Sequence, residues 1–191
     1  MESVVAKGDG QPSITGTGLN GTLRCGQSVR VDNAGLVLLS PYLPALFDRT
    51  GVLASSAAQL QVRDIPRALR LLTYLAYGEA KPSDQGLELN RVLCGVSFPQ
   101  PVETSLALEK RDLGLCDDLM AAALLNWKAL GQSSIALRET FLQRHGELTQ
   151  EANGFRLTVE RKALDVLLES APWSFTDIKH PWMLNLLHVE W

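Results

Sequence analysis

Residues 31–53 read VDNAGLVLLSPYLPALFDRTGVL, the densest apolar run in the chain. Two prolines, Pro41 and Pro44, sit inside it. An uninterrupted helix would not accept them, because proline has no backbone N–H and its ring crowds the preceding turn. The pattern predicts a break near Ser40, with Ser40 as N-cap and Pro41 at the first helical position. A helix then runs through Tyr42, Leu43, Ala45, Leu46 and Phe47, and Gly51 closes it as a left-handed residue. Before the break, Asp32 or Asn33 caps or turns the chain, and Ala34–Leu39 forms a helical or extended apolar run. The stretch is thus an elbow that carries core packing.

Upstream, Thr22–Val31 is predicted as a short strand, since Leu23, Cys25, Val29 and Val31 share one parity. Residues 1–21 are polar and glycine-rich, a composition that buries too little apolar surface to offset the entropy of ordering. They are expected to be a flexible tail or linker. They contain a GxGxxG string from Gly16 to Gly21. A dinucleotide site needs a strand before that string and a helix after it. Here a polar tail precedes it and strand-like alternation follows, so the string reads as linker.

Downstream, Ser55–Arg63 is expected as a polar connector. Asp64 caps an amphipathic helix with Pro66 in its first turn. Ile65, Leu69, Leu72 and Ala76 form its stripe, Arg63, Arg67 and Arg70 lie off the stripe, and Gly78 ends it. A loop covers residues 79–85, a shorter helix covers Leu87–Leu93 and ends at Gly95, and residues 97–101 form an extended linker around Pro99 and Pro101. The longest helix is expected over Asp112–Ala129, ending at Gly131. Ser133 or Ser134 caps another, which runs to Gly146. After that the texture changes. Gly154–Arg161 alternates as a half-buried strand, Ala163–Glu169 is a short helix, Phe175 and Ile178 mark a second strand, and Met183–Val189 a last one. The fold class is α+β, a helix-dominated domain with a small C-terminal β-sheet, and residues 22–191 form a single globular domain.

A chain of 191 residues is long enough to bury a core without disulfide or metal staples. Its net charge of −3 argues against a nucleic-acid binder that works through phosphate contacts. Cys25, Cys94 and Cys116 are odd in number and widely spaced, as expected of reduced thiols in a cytosolic protein. No apolar run approaches the ~18 residues of a membrane span. The start, MESVVAKGDG, lacks the basic and apolar blocks of a signal peptide.

No catalytic constellation emerges. His145, His180 and His188 lack metal-ligand spacing, and neither HExxH nor GxSxG occurs. Asp117 and Asp118 are expected at the opening of the long helix, where carboxylates meet the positive end of its dipole. Glu109, Lys110, Arg111 and Asp112 mix signs and are expected on a solvated face. No catalytic residue, metal ligand or cofactor is assigned. The tryptophans stand out. Three of the four, Trp173, Trp182 and Trp191, fall in the last 19 residues. Two readings apply: core packing of a small sheet, or an anchor surface for another protein, because tryptophan is enriched at interface hot spots. On the second reading, Trp173, Trp182, Trp191 and His180 are the candidate partner-binding residues.

Several phrases, in order and spacing, resemble the tape measure protein family of contractile injection systems, the phage-tail-like devices that drive a tube through a target envelope. They are NAGLVLLSPYLPALFDRTGVL (Asn33–Leu53), RALRLLTYLAYGE (Arg67–Glu79), LELNRVLCGV (Leu87–Val96), NWKALGQSSIALRETFLQRHGEL (Asn126–Leu148), FRLTVERKALDVLLESAPWSF (Phe155–Phe175) and IKHPWMLNLLHVEW (Ile178–Trp191). The resemblance implies a non-enzymatic structural component that occupies the tube lumen and sets tube length during assembly, with one end held at the baseplate or spike. It implies inner tube, spike or baseplate proteins as partners, possible self-association, assembly in the cytoplasm, and a final place inside the tube or at the baseplate. It brings no catalytic residue. The chain departs from a ruler in being short, since a helical ruler spans only ~1.5 Å per residue. An anchoring role therefore fits better than length-setting by this chain alone. The alternative is an adaptor or chaperone that binds tube, baseplate or cargo proteins before loading. A third reading, an enzyme, lacks a candidate set of converging titratable groups. If the C-terminus anchors the chain, deleting His180–Trp191 abolishes assembly or leaves tubes of uncontrolled length.

Overall fold

A computed structural model describes residues 23, 25–55, 60–79, 86–96 and 107–191. The expected tail with its GxGxxG string, most of the 79–85 loop and the 97–101 linker lie outside these residues.

The run at 31–53 is an elbow of a different kind from the one expected. Ala34–Tyr42 forms a 3-10 helix that leads without a break into α1, Leu43–Thr50. Ser40 is therefore not an N-cap. It is buried inside the 3-10 segment, and Pro41 lies within that segment. Pro44 takes the early helical position in α1, where no N–H is required. The 3-10 pattern explains why Pro41 is tolerated. In that geometry residue 41 would donate to the carbonyl of residue 38. Proline cannot, and the indole Nε1–H of Trp173 donates to the Leu38 carbonyl instead, at 2.9 Å. Nine residues is long for a 3-10 helix. Its packing is tight: a Cβ on Gly35 would lie 1.7 Å from the Phe141 carbonyl oxygen. Gly51 closes α1 in the left-handed region, φ 73°, as expected.

The helical half follows. Asp64 caps α2, Ile65–Tyr77, through the Arg67 N–H at 3.2 Å, and Gly78 ends it at φ 73°. α3 covers Glu88–Leu93 and α4 covers Lys110–Asn126, followed by a 3-10 turn at Lys128–Leu130. Ser133 caps α5, Ser134–Leu137, which widens into a π turn over Arg138–Leu142. Three expectations are corrected here. α4 starts at Lys110, so Asp117 and Asp118 lie in mid-helix and not at its positive end. Asp112 is not on a solvated face. It is 1% exposed and takes a two-pronged contact from Arg67, Nε to Oδ2 at 2.8 Å and Nη2 to Oδ1 at 2.6 Å, which pins α4 to α2. Arg70, off the apolar stripe by sequence, is buried as well.

Beneath the elbow lies a buried polar network. Asn33 donates to the Asn90 side chain at 2.7 Å, and Asn90 donates to Thr73 Oγ1 and to the Leu69 carbonyl. It ties α2, α3 and the start of the 3-10 helix together by bonds that apolar packing could not orient.

The sheet is larger than expected. β1 (Ser28–Val31), β4 (Gly146–Glu151), β5 (Gly154–Val159), β7 (Leu186–Glu190) and β6 (Asp177–Ile178) lie side by side in that order. All pairs are antiparallel except β5 with β7. A separate hairpin, β2 (Leu53–Ser55) with β3 (Leu60–Val62), occupies the expected connector. The helix expected to end at Gly146 stops before Gln143, and Gly146 instead opens β4. A Cβ there would meet Ala34 Cβ at 2.7 Å, so the strand passes directly under the elbow. One row crosses all five strands on the polar face: Ser28, Thr149, Arg156, His188 and Asp177. The other face presents Val31, Leu148, Leu157, Val159, Leu187 and Val189 to the core. The helix-dominated α+β class holds, with the sheet assembled from both ends of the chain.

Candidate partner-binding face

The aromatic residues of the C-terminal quarter are distributed over two places. The first is interior. Trp182 is buried, and its Nε1–H donates to the Leu93 carbonyl at 2.8 Å. Its ring packs against Phe47 at 5.2 Å and stacks on His180 at 4.7 Å. His180 is buried too, with Nε2 3.2 Å from the Ser40 hydroxyl. Burial pushes the imidazole down to about 4, because desolvation disfavours the cation. His180 is therefore neutral at physiological pH. A serine beside a histidine invites a catalytic reading, but this pair has no carboxylate bonded to the second ring nitrogen among the described residues. A base with so low a pKa is also poorly matched to proton transfer near neutrality.

The second place lies where the chain ends. Trp191 is half-buried and held by three contacts. Its carbonyl accepts from Arg161 Nη2 at 2.7 Å, its indole donates to Asp165 Oδ2 at 3.0 Å, and its ring lies 5.6 Å from the Arg144 guanidinium. Phe175 meets it edge-on at 5.8 Å. Arg144 is fully buried. It donates to the Thr140 carbonyl at 2.7 Å, the Glu160 carbonyl at 3.1 Å and Asp165 Oδ1 at 2.9 Å. Burial by itself would raise the Asp165 carboxyl. The Lys162 backbone N–H, the Trp191 indole and Arg144 outweigh it and hold the carboxyl below its ordinary range. Trp173 is half-buried between Trp127 and Tyr42, edge-on to both. Trp127 is buried and donates to Ser170 Oγ at 3.1 Å.

Of the four residues assigned to partner contact by sequence, the structure thus places Trp182 and His180 inside, and Trp173 and Trp191 at the edge with part of each ring open. Every indole N–H of the chain is satisfied internally, so a partner would meet ring faces and not donors. Sequence reasoning overlooked two apolar side chains that flank Asp165, the residue that holds the Trp191 indole. The 3-10 helix Ala163–Ser170 carries Asp165 inward, while its neighbours Leu164 and Val166 are 52% and 63% exposed. The signal was available: in ALDVLLES the charged residue sits between two apolar ones, and only one orientation can serve Arg144.

Among the described residues no group of three or more His, Cys, Asp or Glu side chains is placed to hold a metal ion. None of the described helices is long and apolar enough to cross a membrane. Cys94 and Cys116 are buried free thiols, raised by desolvation, Cys116 to about 12, so neither is an activated nucleophile.

No curated protein and no solved structure matches the chain. One family model does, over residues 15–191, and its description is contractile injection system tape measure protein. With nearly the whole length matched, and with the phrases from Asn33 to Trp191 inside the matched region, the chain belongs to the contractile injection system tape measure protein family.

Proposed function

We propose that the described part of this chain is the anchoring body of a tape measure protein, a non-enzymatic module that fixes one end of the assembly at the baseplate or spike while the tube is built. The observation that carries the reading is where the family match lies. It covers a packed α+β body whose longest described helix has 17 residues, a rod of only ~25 Å. A body of this kind suits a fixed end better than a ruler. The family itself is compatible with a structural role. The docking face on this reading is the surface around Leu164 and Val166, exposed chain neighbours of the Asp165 that holds the half-buried Trp191.

Deleting His180–Trp191 would remove Trp182, Met183, Leu187 and Val189 from the core, so substitution at the surface is the sharper test. Particles assembled with the wild-type chain should retain it after purification. A Leu164→Asp, Val166→Asp double variant should fold, as read by circular dichroism, yet be lost from particles or leave tubes of irregular length. Normal particles containing the variant would remove the face from the reading. A wild-type chain that binds free tube or baseplate protein but is absent from finished particles would favour the adaptor or chaperone role.

A further inference from the structure

A hollow lies at the end of the sheet away from Trp191, where β4 ends and β5 and β7 begin. Successive residues of a strand face opposite sides of the sheet, and Leu148 of β4 is fully buried on the core side. Gln150 shares its parity and pairs with Phe155 of β5. An amide thus stands in the apolar row. Its backbone is already satisfied: the Gly26 N–H donates to the Gln150 carbonyl at 2.8 Å, and the Gln150 N–H donates to the Gln27 carbonyl at 3.1 Å. Its side-chain oxygen is buried and accepts from no described residue. An acceptor left that way costs stability and calls for an explanation. Gln150 lines a half-open cavity of about 130 Å³, together with Phe155, Val92 and Val96 at α3, and Met183. The wall is fixed at Gly95, which has φ 69° and where a Cβ would lie 2.4 Å from the Trp182 carbonyl oxygen. Leu184 also lines the cavity and is 63% exposed.

We propose that this cavity receives a tyrosine side chain of a partner protein, with the ring against Phe155, Met183 and the α3 valines and the hydroxyl donating to Gln150 Oε1. The volume selects the size of the occupant. Small-molecule and cofactor sites are about 300–1,000 Å³, whereas an apolar cavity of roughly 150 Å³ holds one benzene ring. The space therefore suits a single six-membered ring and is too small for an indole. The unpartnered oxygen selects the chemistry. It needs an O–H or N–H donor, which phenylalanine lacks and a phenol supplies. The open side lets the partner's backbone leave past Leu184, which extends the apolar surface. A second copy of this chain is not the source, because its three tyrosines, Tyr42, Tyr74 and Tyr77, are packed against its own core. The cavity lies at the other end of the sheet from the face at Leu164 and Val166, so the body carries two separate points of contact.

The test uses the isolated full chain and small probes, so its outcome is separate from that of the particle experiment above. Methyl resonances of Met183 and Leu184 are followed by NMR during titration with N-acetyltyrosine amide and with N-acetylphenylalanine amide, which differ only in the hydroxyl. The tyrosine compound should shift both residues saturably, with a dissociation constant in the millimolar range. It should bind about tenfold more tightly than the phenylalanine compound, the order expected when a buried acceptor otherwise goes unpaired. Gln150→Leu, which restores the apolar row, should fold by circular dichroism and bind the two compounds with affinities within about twofold of each other. No saturable shift with the tyrosine compound, equal affinity of the wild type for both compounds, or a Gln150→Leu variant that keeps the preference for tyrosine would each overturn the proposal. So would binding of p-cresol without binding of the capped tyrosine, since the occupant would then be a free phenol and not a side chain.

Discussion

His180 shows how one buried side chain imposes a pH dependence on the whole molecule. Its ring is stacked on Trp182 and bonded to Ser40, and burial lowers its pKa from 6.5 to about 4. Between those values the unfolded chain binds a proton that the folded chain refuses, so the unfolded state gains as pH falls. The contribution is complete above pH 6.5 and is lost progressively toward pH 4. A shift of this size corresponds to about 3 kcal/mol. Denaturant titrations at intervals from pH 7.5 to 4 should therefore show falling stability, and His180→Gln should flatten that slope. An equal slope in the variant would place the proton uptake elsewhere. The same residue marks a limit of sequence reading. In IKHPWMLNLLHVEW nothing distinguishes His180 from His188, yet one lies in the core and the other on the polar sheet face beside Asp177, at 2.8 Å. Burial is decided by which segment packs against the elbow, where Ser40 meets His180, a long-range fact.

At the scale of elements, the decisive contact is between the 3-10 helix Ala34–Tyr42 and the π turn Arg138–Leu142. Gly35 lies against the Phe141 carbonyl so closely that a methyl group would overlap backbone and not a movable side chain. Gly35→Ala should destabilise the fold by about 1–3 kcal/mol, the usual range for overpacking, despite the higher helix propensity of alanine. Thermal melts of the variant check this, and an unchanged or raised midpoint would show that the two segments can move apart. Elements set by local chemistry were legible. The Asp64 cap with Pro66, the Ser133 cap, and Gly51 and Gly78 as left-handed ends follow from side chains acting within a few residues. What escaped was set by distant partners. Ser40 and Pro41 looked like a helix start, but Trp173, far along the chain, supplies the donor that Pro41 lacks. GELTQE, with one buried leucine, carries too weak an alternation to announce a strand. Its cue was the short connection through Ala152 and Asn153 to the clearly alternating GFRLTV. Asp112 lay in a mixed-charge run, and only its pairing with Arg67 takes it inside. The candidate face was half visible in the same way: tryptophans can be counted in a sequence, but their orientation cannot.

For the molecule as a whole, Arg144 adds a polar tie between the helical side, the sheet and the last residue of the chain. Its guanidinium holds the Thr140 carbonyl on the helical side, the Glu160 carbonyl just beyond β5, Asp165 in the 3-10 helix, and the ring of the final residue, Trp191. A buried charge with so many partners couples the regions that share it, because freeing any one exposes or strands the others. Unfolding of the wild type should therefore be a single transition, with far-ultraviolet dichroism, which reports mainly helix, coinciding with tryptophan fluorescence, which reports mainly the C-terminal quarter. Removing the charge leaves Asp165 short of its main cation and two carbonyls unpaired. Arg144→Met, close in length and apolar, should cost about 3–5 kcal/mol, the range for breaking a buried pair by removing one partner. If the hub is what links the layers, the two probes should also separate in that variant, with fluorescence changing first as Trp191 loses its seat. Coincident, merely shifted transitions would mean that the core beneath the elbow, from Leu36 and Leu39 to Leu148 and Leu157, couples the layers without it.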